Sequence, residues 1–342
     1  MSVATPSKKS PFTKEWMEWI EENLEIAVPT GKMTDAMVDD GILRSEAEAM
    51  IRTLELVRSL KESKESSSSF QKAEWIFESL AHLDESAPTE IESRDKIGRD
   101  EFYSQFYFQN RPVLIESWRE LDCLDTSLSW DSLRSRFHEE TVEIQTERNQ
   151  DLHYERNSHD HKSTIQFGEF LDAVLNDTES NDIYLTANNG ERNRELFSEI
   201  TDSSDWMPAF MDKQNVERKA FLWIGPKGTT TPLHHDLTNN LLLQVRGEKL
   251  VFLFPPCHYF RSYNDFHCYS DFDCESPDFD RFPQAKGINI RKCVLREGQM
   301  LFLPVGWWHQ VKSLSPSISI TAVNFQDSNE FTANYHTHYE IS

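Results

Sequence analysis

Apolar positions recur at two different periods along the chain. Near the start they follow a helical period. Trp16, Trp19, Ile20 and Leu24 fall three or four residues apart and form one stripe of a helix. The helical reading runs from Phe12 to about Leu60. Within it, Thr34–Gly41 reads as a short capped helix closed by glycine, and Ser45–Val57 as a third helix. Lys61–Ser69 is charged and serine-rich and reads as a linker. Phe70–Leu83 returns to a helix with Trp75, Ile76, Leu80 and Leu83 on one side.

Beyond residue 110 the period shortens toward two. Arg111–Ile115, Thr141–Gln145 and Asp182–Thr186 read as strands, Lys219–Gly225 is an apolar run leading to the Gly228 turn and the His234 strand, and helices are expected at Phe102–Gln109, Trp130–Phe137 and Phe167–Leu175. Asn240–Arg246 and Lys249–Phe254 flank Gly247 and read as strand, hairpin turn, strand. After the Arg296–Gly298 turn, another buried strand leads to Pro304 and then to Trp307-Trp308-His309. This density of strands predicts an antiparallel barrel or jelly roll with flanking helices, an α+β chain. The expected division is a helical domain over 1–62, a linker and connecting helix over 63–94, and a β-rich domain over 95–342.

Composition narrows the function. The 342 residues suffice for a main domain of about 200–250 residues plus a smaller one. A formal charge of −23, from 35 basic and 58 acidic residues, repels phosphate backbones, so nucleic acid is not an expected partner. No stretch is long and apolar enough to span a bilayer, so no membrane association is expected. The polar start, Met1–Thr13, lacks the apolar segment of a signal peptide. Five cysteines, Cys123, Cys257, Cys268, Cys274 and Cys293, are an odd, sparse set that suits free thiols in a reducing, cytoplasmic setting.

The chemistry centres on Thr231-Pro232-Leu233-His234-His235-Asp236. Residues two apart on a strand share a face, so His234 and Asp236 can meet one ion, while His235 points away. His309 can add a third ligand from a distant strand. Two imidazoles and one carboxylate on one face of an octahedral ion make the triad of non-haem Fe(II) oxygenases, with open positions for a chelating cosubstrate and dioxygen. Lys249 stands mid-strand among Leu250, Val251 and Phe252, where a buried ammonium needs an anionic partner. His153, His159 and His161 lie in a polar loop and read as solvated. Cys257, His258, His267, Cys268 and Cys274 contain no Cys-x-x-Cys pair and make a poor zinc site. His336 and His338 read as an exposed tail.

These ordered motifs, together with Arg111–Ile115 and the run Ser270–Pro283, resemble the JmjC family of Fe(II)- and 2-oxoglutarate-dependent oxygenases. The resemblance covers roughly residues 95–326. It is closest to the cupin-like protein-hydroxylase branch that contains the asparaginyl hydroxylase of hypoxia-inducible factor. It implies a double-stranded β-helix, Fe(II) on His234, Asp236 and His309, and 2-oxoglutarate and dioxygen as cosubstrates. By the same resemblance Lys249, Thr231 and Tyr184 would hold the far carboxylate of 2-oxoglutarate, and Asn240 and Asn324 its metal-side end or the ligand shell. The implied reaction hydroxylates a side chain of a protein or peptide, releasing succinate and carbon dioxide. N-methyl-lysine demethylation by the same oxidation, or a non-catalytic binding module, are the alternatives. Gln326 stands where the asparaginyl hydroxylase has an aromatic residue, so its substrate preference is not implied.

Overall fold

The computed structural model describes residues 13–331 except 27, 67, 119–123, 125–126, 177, 188–190 and 265–266. Cys123, His336 and His338 therefore lie outside the described residues. The chain forms two compact units, 1–76 and 77–342. Among the described residues no helix is long and apolar enough to cross a membrane.

In the first unit, α1 (Lys14–Glu25), α2 (Thr30–Asp39) and α3 (Arg44–Ser66) pack around Trp16, Ile20, Met33, Met37, Met50 and Ile51. The Thr13 side chain caps α1 by accepting from Trp16 N–H. The linker expected at Lys61–Ser69 departs from its reading. Helix α3 continues to Ser66, and α4 (Ser68–Asp84) starts two residues later. Lysine and glutamate are good helix formers, and their propensity outweighs the serines here. The C-terminal part of α4 belongs to the second unit. Asp84 bonds Arg291 and His258, Arg261 bonds Glu78 and Glu85, and Phe77 packs edge-on to Phe260.

The second unit contains β1 (Ser93–Arg94), β2 (Val113–Ile115), β3 (Thr141–Gln145), β4 (Lys162–Gln166), β5 (Ala220–Gly225), β6 (Thr230–His235), β7 (Asn240–Arg246), β8 (Lys249–Phe254), β9 (Arg291–Leu295), β10 (Met300–Leu303), β11 (Trp308–Ser313) and β12 (Ser317–Ala322). One sheet runs β1-β2-β10-β7-β12-β5, a second β6-β11-β8-β9, and β3 pairs with β4 apart. Strand alternation sorts the side chains into three layers. Leu242, Val251, Leu253, Leu301 and Leu303 fill the space between the two sheets. Leu241, Leu243, Met300, Phe302, Ile318 and Ile320 face the flanking helices Phe167–Leu175 and Glu191–Thr201. Leu233, Phe252, Phe254 and Trp308 face outward beneath Phe272, Phe282 and Ile288. The architecture is the expected jelly roll.

The hairpin reading at Gly247 is corrected. Strand β7 pairs with β10 and β12, whereas β8 pairs with β11 and β9. The turn between them is a corner at which the chain changes sheets. It lies against a second corner, residues 314–316, with Leu314 N–H donating to Glu248 O and Glu248 N–H to Ser315 Oγ. Gly247 has φ +72°, and a Cβ there would overlap the Pro316 carbonyl. Gly247→Ala should therefore lower stability by about 1–3 kcal/mol. Gly31→Ala, in α2 with no atom within 4 Å of an added Cβ, should stabilise by about 0.5–1 kcal/mol. Urea unfolding of both variants checks this contrast; equal effects would contradict it.

Candidate metal and cosubstrate site

The site is built where β6 and β11 run antiparallel, with His234 directly opposite His309. The register then shifts. Thr231 faces Val311, so three steps on β6 match two on β11. Strand β6 thus carries a bulge, and Pro232, which has no N–H for the ladder, falls within it. The bulge rephases the strand, so that Thr231 and His234, an odd number of residues apart, line one cavity.

His234, Asp236 and His309 converge, with one ligand atom from each lying within 4.8 Å of the others. His234 Nε2 lies 3.9 Å from Asp236 Oδ1, and His309 Nε2 lies 3.8 Å from Asp236 Oδ2. Both imidazoles use Nδ1 on a carbonyl of their own strand. His234 Nδ1 donates to Pro232 O at 2.8 Å, and His309 Nδ1 to Trp307 O at 3.0 Å. A carbonyl only accepts, so each Nδ1 carries a hydrogen and each Nε2 is the nitrogen turned toward Asp236. Burial, reinforced by His309, lowers the pKa of His234 and keeps its ring neutral. Burial alone would raise Asp236, but His309 and His234 outweigh it and hold the carboxylate below its ordinary range. Asn240 Nδ2 donates to Asp236 Oδ2 at 3.0 Å. This donor set, two imidazoles and one carboxylate, suits a divalent first-row metal.

Next to the triad is a cavity of about 90 Å³. Lys249 reaches it from β8, is 2% exposed, and has no carboxylate partner among the described residues. Its Nζ lies 3.3 Å from Tyr184 Oη, and Tyr184 is also hydrogen-bonded to Thr231. Burial pushes the Lys249 ammonium down to about 7. An unpaired buried cation beside two hydroxyls fits a ligand carboxylate. Leu242, Leu303 and Val311 supply apolar walls.

Asn324 falls outside this cavity. Its Nδ2 donates to Asp212 O at 2.9 Å and to Met207 Sδ at 3.2 Å, so it ties β12 to the 207–212 segment. The suggested role at the metal-side end is not what these contacts serve. The pattern reading also missed Trp223, whose Nε1 donates to Thr321 Oγ1 at 2.9 Å on the cavity wall. Recognition of β12 as a strand would have exposed this pair. His235 points outward, edge-on to Trp308 at 4.9 Å. Trp307 and Trp308 belong to the inner and outer cores and do not line the cavity.

A second cluster, Asp84, Cys257 and His258, reads differently. Arg291 bonds both Asp84 oxygens at 2.6 and 3.2 Å, and His258 Nε2 lies 2.9 Å from Oδ2. Burial acts to raise Asp84, but the bonds from His258 and Arg291 win and lower it. The carboxylate is already neutralised, and the cluster is an ion-pair anchor for α4. His153, His159 and His161 join no such cluster among the described residues. A larger cavity of about 240 Å³, between Glu191–Thr201 and β5, holds none of the triad.

A family profile described as "Cupin-like domain" matches residues 99–331. "Lysine-specific demethylase JMJ30" of Arabidopsis thaliana is 40% identical over 115 residues, 32% of this chain and 25% of that protein. "Lysine-specific demethylase 8" of Danio rerio is 28% identical over 235 residues, 65% of this chain and 55% of that protein. "2-oxoglutarate and iron-dependent oxygenase JMJD4" of Mus musculus is 35% identical over 129 residues, 34% of this chain and 29% of that protein. The chain thus spans from a quarter to just over half of the length of these relatives.

The Lys249 geometry has a thermodynamic consequence. Its folded pKa, about 7, lies below the ordinary 10.5, so between these values the unfolded chain binds more protons and stability rises with pH. Below pH 7 the full cost of the buried ammonium is present. Ligand-free Lys249→Met should be more stable than the parent at pH 7. The gap should close by up to about 1.4 kcal/mol per pH unit on raising the pH. Denaturant unfolding from pH 7 to 9 tests this; a gap that does not change with pH would contradict the buried, unpaired ammonium.

Proposed function

The chain belongs to the cupin-like domain family, and from that premise we propose that it is an Fe(II)- and 2-oxoglutarate-dependent dioxygenase. The proposed reaction hydroxylates a side chain of a protein or peptide and converts 2-oxoglutarate and dioxygen to succinate and carbon dioxide. One oxygen atom of O2 enters succinate and the other the hydroxylated product. The observation that carries this reading is the pairing of a three-ligand cluster with a buried lysine that has no carboxylate partner among the described residues.

His234, Asp236 and His309 would hold the iron, which supplies the one-electron chemistry that dioxygen requires. The protein's own groups do the rest. The carbonyls of Pro232 and Trp307 fix the imidazole tautomers, and Asn240 orients Asp236. Lys249, with Tyr184 and Thr231, would anchor the far carboxylate of 2-oxoglutarate. Leu242, Leu303 and Val311 keep water from the reacting end of the cavity.

The names of two relatives favour a second reading, N-methyl-lysine demethylation by the same oxidation. A hydroxylated N-methyl group loses formaldehyde, whereas a hydroxylated side-chain carbon is retained, so the product distinguishes them. In either reading the α1–α3 unit is proposed to recruit the protein substrate. A cytoplasmic setting suits the free thiols of Cys257, Cys268, Cys274 and Cys293.

The parent protein should convert 2-oxoglutarate to succinate only with Fe(II) present, and peptide substrates should raise the rate. His309→Ala should reduce turnover to background while the unfolding midpoint stays near the parent value. Succinate is assayed with and without peptide, and formaldehyde in parallel. Undiminished turnover in His309→Ala would remove His309 from the ligand set.

A further inference from the structure

The β6–β11 ladder fixes the two histidines, but not the third ligand. Paired register ends at His235, opposite Trp308. Asp236 lies just past it, in the turn that leads to β7. On the other side, residues 304–307 form the turn before His309. Neither turn makes ladder bonds of its own, and the His235–Trp308 and Asn240–Leu303 pairs bracket both turns.

Between those pairs, two asparagines tie the turns to each other and to the segment after β12. Asn239, 2% exposed, sits in the Asp236 turn. Its N–H donates to Asn329 Oδ1 at 2.8 Å, and its carbonyl accepts from Asn329 Nδ2 at 2.9 Å. The same Nδ2 donates to Val323 O at 2.9 Å. Asn239 Oδ1 accepts from Val305 N–H at 2.9 Å, which reaches the second turn. There, Gly306 N–H donates to Asp236 O at 3.1 Å. Asn329 lies in the segment after β12, where Gln326, Asp327, Ser328 and Glu330 are exposed and Asn329 itself is half-buried. Its side chain turns inward and satisfies main-chain groups of two different segments.

We infer that Asn239 and Asn329 are positioning residues that form a clasp. They hold the Asp236 turn against the 304–307 turn and so keep the carboxylate in reach of both imidazoles. The inference rests on the proposed metal site. Neither asparagine touches a ligand side chain; besides these main-chain bonds, Asn239 hydrogen-bonds the Tyr107 side chain. Loss of the clasp lets Asp236 move while the two histidines stay paired. Supports of this kind typically change metal affinity 10- to 100-fold.

The test uses the full chain and Fe(II) alone, with the dissociation constant measured anaerobically by competition with a chromogenic chelator. Asn239→Ala and Asn329→Ala should weaken Fe(II) about tenfold. Asn239→Asp keeps an oxygen for Val305 N–H and should stay near the parent affinity. Asn193→Ala is the control for stability alone. Asn193 is equally buried and holds Glu143 N–H and Glu143 O at 2.9 and 2.7 Å on β3. It should lower the unfolding midpoint without moving Fe(II) affinity. If Asn239→Ala does not fold, Asn329→Ala, at a partly exposed site, carries the test. Parent-like affinity in the folded alanine variants, or the same loss in Asn193→Ala, overturns the clasp. A parent protein that binds no Fe(II) overturns the metal-site reading itself, and the clasp with it.

Discussion

The register between β6 and β11 is the constraint on which the rest of the site depends. Direct opposition of His234 and His309 gives two imidazoles on one face without any long-range adjustment. A slip of one residue would send one of them to the outer face. Two cores guard against the slip. Trp308 and Leu233 are locked outward among Phe252, Phe254 and Phe272, and Val311 packs inward beside Val251 and Leu253. The bulge at Pro232 then brings Thr231 onto the same face as His234.

The site is also a concentrated cost to stability. Among the described residues Lys249 is buried with no carboxylate partner, His234 and His309 stand 4.1 Å apart between ring centroids, and Asn240 Oδ1 is buried without a partner. Burial of unpaired polar groups is unfavourable unless a ligand completes them. The layered apolar cores and the Asp84–Arg291 anchor offset that cost. A carboxylate ligand would relieve part of it, which couples ligand binding to stability.

Much of the site was legible in sequence because its logic is local. The i, i+2 spacing of His234 and Asp236 pointed to a shared face, although Asp236 falls one residue past the end of β6, and Lys249 stood out among apolar neighbours on its strand. What was hidden depends on pairing. Strand β4 carries a weak local pattern, Ile165 being its one apolar residue. The turn at Gly247 has a hairpin's composition, yet the chain changes sheets there, a choice set by partners far along the chain. The bulge at Pro232 is visible only against β11. Asn324 was named through the family resemblance, but its amide bonds Met207 and Asp212. Lys61–Ser69 has a linker's composition, but its lysines and glutamates also favour helix.

The most direct test of the central claim is an anaerobic titration of the protein with Fe(II) and 2-oxoglutarate, followed by visible absorption. Chelation of the metal by the cosubstrate should give a charge-transfer band in the parent protein and none in His234→Ala. No band in the parent, with iron and 2-oxoglutarate both shown not to bind, would contradict the account and leave the jelly roll as a binding module without this chemistry.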